Sequence, residues 1–141
     1  MMSYQVLALM FIAGGVAAVP AAQAARVTVT VEGIRTTDGA IMVGLFADPA
    51  TFPDHFLRGQ SAAAQVPSVT IVFENVEPGR YALSAFHDRN GNGKLDRGTL
   101  GIPKEPYGFS HEARGVMGPP SFDAAALEVP ADGLALVIHL K

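Results

Sequence analysis

The sequence predicts an all-β domain, an antiparallel sandwich of about seven strands behind a cleaved signal peptide. Three observations predict the sandwich. Apolar and polar residues alternate over short runs, as in Val27, Val29 and Val31 against Thr28, Thr30 and Glu32. Turn formers separate these runs at Asp38-Gly39, Pro78-Gly79 and Asp132-Gly133. Of the 141 residues, 49% are apolar, enough for one packed core without staples.

The leader is read from residues 1–24. Gln5 to Val19 is nearly all apolar, and Ala22-Gln23-Ala24 has the small-x-small form of a signal peptidase site. The run is shorter than the roughly 20 residues a membrane span needs. No Lys or Arg precedes it, so only the amino terminus supplies positive charge there. An uncleaved anchor and a buried amino-terminal strand are the competing readings. A cleaved leader implies a single domain over residues 25–141, periplasmic or secreted, with no membrane span after cleavage.

The mature region follows as strands and loops. Arg26 to Ile34 alternates as a half-buried strand. Thr37-Asp38-Gly39 predicts a hairpin turn, because Asp-Gly tolerates positive φ. Ala40 to Ala47 returns as a strand apolar on both faces, hence central in its sheet. Residues 48–65 read as a loop whose Phe52 and Phe56 fold down over the core edge.

Ser68 to Glu74 is a strand with Val69, Ile71 and Phe73 on one face. Glu77-Pro78-Gly79 turns the chain into a strand from Arg80 to His87, with Tyr81, Leu83 and Ala85 on one face. Residues 97–120 are rich in Gly and Pro and show no period. Their Leu100, Ile102, Tyr107 and Phe109 favour an ordered loop. Phe122 to Val129 reads as a strand, although Ser121 could cap a short helix there. Leu134, Leu136, Ile138 and Leu140 share one face of the last strand.

Composition excludes several chemistries. There is no cysteine, so no disulfide framework, thiolate zinc site or cysteine nucleophile. The net charge is −3 and no basic stripe is present, which argues against nucleic acid as a partner.

The densest chemistry lies in His87-Asp88-Arg89-Asn90-Gly91-Asn92-Gly93-Lys94-Leu95-Asp96. Calcium takes six to eight oxygens from carboxylates, amides and backbone carbonyls. With Asp88 at position 1, Asn90 and Asn92 stand at positions 3 and 5, and Gly93 permits the bend at 6. Lys94 offers its carbonyl at 7, and Asp96 stands at 9. Thr99 holds position 12, where a bidentate Glu is expected. Glu105 could replace it only if the long loop folds back. Two carboxylates and two amides predict a weak site, about 10⁻⁴–10⁻³ M. The alternative is a metal-free turn held by Asx hydrogen bonds.

Other constellations carry less. His87 and Asp88 are neighbours on a strand and point to opposite faces, so they do not readily form a general-base pair. His87, His111, Glu105 and Glu112 have no diagnostic metal spacing. Ser110-His111-Glu112 holds the residue types of a triad, but triads form by convergence in space. No Gly-x-Ser-x-Gly elbow or phosphate-binding glycine loop is present. Tyr107, Phe109 and Phe122 either line a small pocket or plug one end of the sandwich; burial of large apolar groups favours the plug.

Several runs together resemble a family. Tyr81-Ala-Leu-Ser-Ala-Phe-His87-Asp88, Asn90-Gly-Asn-Gly-Lys-Leu-Asp96 and Leu100-Gly-Ile-Pro103-Lys-Glu105-Pro-Tyr107-Gly-Phe109-Ser110 are similar to a bacterial family of exported proteins, domain of unknown function 2141. Gly118-Pro-Pro-Ser-Phe122-Asp-Ala124, Val43-Gly44-Leu45-Phe46 and Phe52 also fit. The resemblance spans essentially the whole mature chain. It implies a signal peptide and an immunoglobulin-like or prealbumin-like sandwich, and no particular activity. The 88–96 loop is also similar to calcium loops of bacterial surface adhesin domains, from which Thr99 departs. Only Asp88, Asn90, Asn92, Lys94 and Asp96 carry over.

The expectation is an exported non-catalytic sandwich, with calcium at 88–96 bracing a surface for a small ligand or envelope partner. The alternative is a cell-envelope hydrolase or metal-dependent enzyme using His87, Asp88, Glu105 and His111.

Overall fold

The computed structural model describes residues 24–141; the predicted signal peptide, residues 1–24, lies outside them but for Ala24. The described residues form eight strands. They are β1 (Ala25–Glu32), β2 (Ala40–Phe46), β3 (Arg58–Ala63), β4 (Ser68–Val76), β5 (Gly79–Asp88), β6 (Tyr107–Phe109), β7 (Leu127–Val129) and β8 (Leu134–His139). A one-turn helix, α1 (Phe122–Ala125), precedes β7. The strands make two sheets. One has the order β4-β1-β8; the other has β3-β2-β5-β6, with β7 joining β5 at its start. The predicted all-β sandwich is therefore the observed architecture.

Alternation sets the inner faces. Val27, Val29 and Val31 are fully buried, and Val69, Ile71 and Phe73 meet them from β4. Ile41, Val43 and Leu45 of β2, with Tyr81, Leu83 and Ala85 of β5, complete the core from the opposite sheet. Burying each large apolar side chain contributes about 1.5–3 kcal/mol. A second cluster, Phe46, Ala82, Phe109, Phe122 and Ala125, covers part of the outer face of the larger sheet. Phe52 packs edge-on against Phe46, Phe109 and Phe122, so this loop aromatic does fold down.

Four expectations need correction. First, β1 and β2 do not form a hairpin. Residues 33–39 carry the chain from one sheet to the other, because β2, apolar on both faces, is taken as the centre between β3 and β5. Second, the sheets are not purely antiparallel: β8 pairs parallel to β1, from Val27↔Leu134 to Glu32↔His139. Parallel neighbours need a long crossover, and nearly the whole domain supplies it.

Third, residues 58–63 are an edge strand rather than loop. Arg-Gly-Gln-Ser-Ala-Ala has no β-branched or aromatic residue to announce it. Arg58 fixes it from one end, donating to the Glu74 carbonyl at 2.7 Å and covering the Phe73 ring. Fourth, residues 122–125 are helical, and only Leu127–Val129 is strand. Ser121 caps that turn, its hydroxyl accepting the Ala124 N–H at 3.1 Å.

Candidate functional site

β5 ends at Asp88, and the loop begins there. Asp88 is 2% exposed and pairs with Ala40 across the sheet. Its two oxygens point into the following turn. Oδ1 accepts the Asn92 N–H at 3.2 Å and Oδ2 accepts the Gly93 N–H at 2.8 Å. Gly91 and Gly93 have φ of 69° and 74°, the left-handed region in which side chains are strained. The loop winds because its own carboxylate holds its backbone donors.

Asp96 closes the turn from the other side. The Asn90 amide donates to its Oδ2 at 2.5 Å and the Asn92 amide to its Oδ1 at 2.6 Å. Hydrogen bonds from Asn92 and then Asn90 hold the Asp96 carboxyl below its ordinary value of 3.8. The Asn90 and Asn92 carbonyls accept the N–H groups of Asn92 and Lys94 at 3.3 and 3.0 Å. Asp88, Asn90, Asn92 and Asp96 therefore gather around one turn, as their spacing predicts.

The long loop folds back, and Glu105 comes with it. Glu105 is 7% exposed. Its Oε2 accepts the Arg89 N–H at 2.7 Å and its Oε1 accepts the Asp96 N–H at 3.0 Å. The Asp96 carbonyl in turn accepts the Lys104 N–H at 2.7 Å. Glu105 thus clamps both ends of the 88–96 loop through backbone donors.

Of the residues of the alternative, enzymatic reading, Asp88 and Glu105 hold the same loop, while His87 and His111 lie in other surroundings. His87 is fully buried in the sandwich interior, with Nε2 at the Asp38 carbonyl and Nδ1 without a hydrogen-bond partner. Asp88 faces the loop instead, as adjacent strand residues must. His111 is exposed at positive φ. Ser110 is buried and spends its hydroxyl on the backbone. It accepts the Leu83 N–H at 2.9 Å and donates to the Ala125 carbonyl at 2.5 Å. Glu112 contacts His139 at 2.7 Å, and the other ring nitrogen of His139 lies 2.9 Å from Glu32. Among the described residues, no cluster of three or more His, Asp or Glu side chains is arranged to hold a metal ion.

A groove of about 700 Å³ lies beside the loop, on the outer face of the larger sheet. Met42 and Gly44 of β2, Gly59 of β3 and Ser84 and Phe86 of β5 form its floor. Gly93, Lys94, Leu95 and Arg97 line one wall, followed by residues 100–103. Met117 and its neighbours form another wall, and Phe56 closes over the paired glycines 44 and 59. A smaller cavity of about 200 Å³ lies between Tyr107, Glu112, Arg114 and His139. None of His87, Asp88, Glu105 or His111 lines either cavity. Tyr107 and Phe109 line both, while Phe122 belongs to the outer aromatic cluster.

The groove was not foreseen from the sequence. Its floor comes from three strands brought together by pairing. The available signal was weak: small residues at Gly44 and Ser84, facing away from the core. No helix among the described residues is long and apolar enough to cross a membrane.

A family model described as an uncharacterized protein conserved in bacteria, domain of unknown function 2141, matches residues 29–135. No curated protein and no solved structure matches the chain.

Proposed function

We propose that this chain, which belongs to the bacterial family of domain of unknown function 2141, is an exported, non-catalytic binding module. In this reading calcium fills the 88–96 loop and braces one wall of the outer groove for a small ligand or envelope component. One observation carries the reading. The segment hung from Asp88 through the Gly93 N–H is the segment that lines the groove, at Gly93, Lys94 and Leu95. Stiffening the loop stiffens the wall.

The donor set suits calcium. Asp88, Asn90, Asn92 and Asp96 would bind through side chains and Lys94 through its carbonyl. All are oxygen donors, which hard cations prefer. The two amide groups already stand beside the Asp96 carboxylate through their nitrogens, and an ion would replace those hydrogen bonds by turning the amide oxygens inward. Each carboxylate offers about four lone-pair sites, more than its present hydrogen bonds use. Glu105 is occupied with backbone donors, so the charge on the ion comes from two aspartates and the affinity is weak. The separation of His87 and His111 from the loop that Asp88 and Glu105 hold supports binding over hydrolysis.

Melting the protein in chelator and then in calcium up to about 10 mM tests this. A ligand that binds only the folded state stabilises it by RT ln(1 + [L]/Kd). At that ceiling a site of 10⁻⁴–10⁻³ M gives about 1.4–2.7 kcal/mol. The expected result is a saturating rise that magnesium does not reproduce and that Asp96→Ala removes. A flat response overturns the calcium brace and leaves a loop held by its own amides.

A further inference from the structure

We propose that the tips of two loops, residues 97–103 and 114–118, dock this protein on an anionic phospholipid bilayer surface. Leu100, Ile102, Val116 and Met117 enter the headgroup layer, and Arg97, Lys104 and Arg114 meet lipid phosphates around them. This rests on the reading of the chain as a binding module for an envelope component and names that component.

The first loop is a tight hairpin. Arg97 and Pro103 pair in an isolated bridge. The Gly98 N–H donates to the Ile102 carbonyl at 2.7 Å, and the Gly101 N–H donates to the Gly98 carbonyl at 3.2 Å. Leu100 is left at the apex, at φ of 65° and 92% exposed. The second loop closes as tightly, since a Cβ at Gly115 would run into the Gly118 carbonyl. Val116 and Met117 form its apex, 94% and 104% exposed, with Met117 at φ of 59°. Bare apolar side chains in left-handed backbone cost free energy on both counts, and such costs collect at functional sites. Leu100, Ile102 and Met117 line the same groove, so both tips stand on the outer face of the larger sheet.

Charge names the surface that covers them. Arg97 and Lys104 flank the base of the first tip and Arg114 precedes the second, all three exposed. Among the described residues none of the three forms an ion pair or donates a side-chain hydrogen bond. Residues 97–104 and 113–118 hold no acid. The adjoining acids are already engaged. Asp96 accepts the Asn90 and Asn92 amides, Glu105 accepts two backbone N–H groups, and Glu112 lies on His139. Interfacial binding adds buried apolar area to attraction for anionic lipid, and these tips offer both. Two-fold self-association through the tips would instead set the same cations against each other.

The chain has no tryptophan, so one placed at a tip reports on that tip alone. The test makes Leu100→Trp and Met117→Trp in the full chain, with Val137→Trp on the other sheet as control. Each is titrated in chelator with vesicles of phosphatidylglycerol and phosphatidylcholine, and with vesicles of phosphatidylcholine alone. The expected result on the anionic vesicles is a blue shift and lost acrylamide quenching at positions 100 and 117, and neither at 137. Binding through residues 1–24 alone would not move a tip signal. Arg97→Gln with Arg114→Gln, added to Met117→Trp, changes only exposed side chains. It should weaken the partition roughly twentyfold, about fivefold per cation near the surface. No shift at either tip overturns the proposal, as does an equal shift on phosphatidylcholine alone or an equal shift at 137. A tip shift that grows with protein concentration in the absence of vesicles also overturns it, and assigns the tips to a second copy. The chelator separates this outcome from that of the calcium brace. A tip shift with a flat calcium melt leaves the docking and removes the brace. A calcium-raised melt with no tip shift does the reverse.

Discussion

Glu105 reaches back across nine residues to accept the Asp96 N–H at 3.0 Å, while its other oxygen holds the Arg89 N–H. One buried carboxylate therefore joins the start and the end of the 88–96 loop. Position 12 of the calcium pattern is Thr99, but the acidic group that the pattern lacks is supplied to the backbone instead of to an ion. The loop is closed by a residue outside it.

Glu105→Ala should destabilise the protein by about 3 kcal/mol, since each hydrogen bond to a charged group contributes about 1.5–3 kcal/mol and the two are not additive. Urea unfolding measures it. Native-state hydrogen exchange should show lost protection at Arg89 and Asp96 first. An unchanged midpoint would mean that the clamp is not used in solution.

Asp96 should titrate below its ordinary value, because the Asn92 and Asn90 amides favour its charged form. Its folded pKa is depressed, so its stabilising contribution is present above the unfolded value and is lost as pH falls through the folded one. NMR titration of the Asp96 carboxyl reads this directly. Asn90→Ala with Asn92→Ala should return the midpoint towards 3.8. A wild-type midpoint at or above that value would contradict the geometry.

Ser110→Ala should cost about 2 kcal/mol. It leaves the buried Leu83 N–H and Ala125 carbonyl without their hydroxyl partner. The effect should appear in thermal unfolding as a lower midpoint. Ser110→Ala with little change would show that these backbone groups find other partners.

Gly39→Ala should be among the most damaging single changes, about 3 kcal/mol or more. Gly39 has φ of 65°, and a Cβ there would lie 2.0 Å from the Asp88 carbonyl oxygen. The crossover between the sheets thus packs directly on the base of the loop. Denaturant unfolding of the variant measures the cost, and a near-neutral result would refute that close approach.

How much was legible varies by residue. The strands of β1, β2, β4, β5 and β8 were readable because their side chains alternate or run apolar. β3 was not, because Arg58-Gly-Gln-Ser-Ala-Ala carries no strand preference and is held by Arg58 and by pairing with β2. The short helix at Phe122 has only its Ser121 cap to announce it, and the residues that follow fit a strand as well.

By itself the sequence determined the inner faces of the main strands, the turns at Pro78-Gly79 and Asp132-Gly133, the family and the Asx cluster of residues 88–96. These depend on period-two alternation, on turn chemistry and on hydrogen bonds spanning a few residues, all of which are local. Tertiary structure alone decided which sheet each strand joins, the parallel seating of β8 on β1, the return of Glu105 and the groove. Each of these depends on which distant surfaces pack together. A local run of residues presents a face to be buried but does not state its partner.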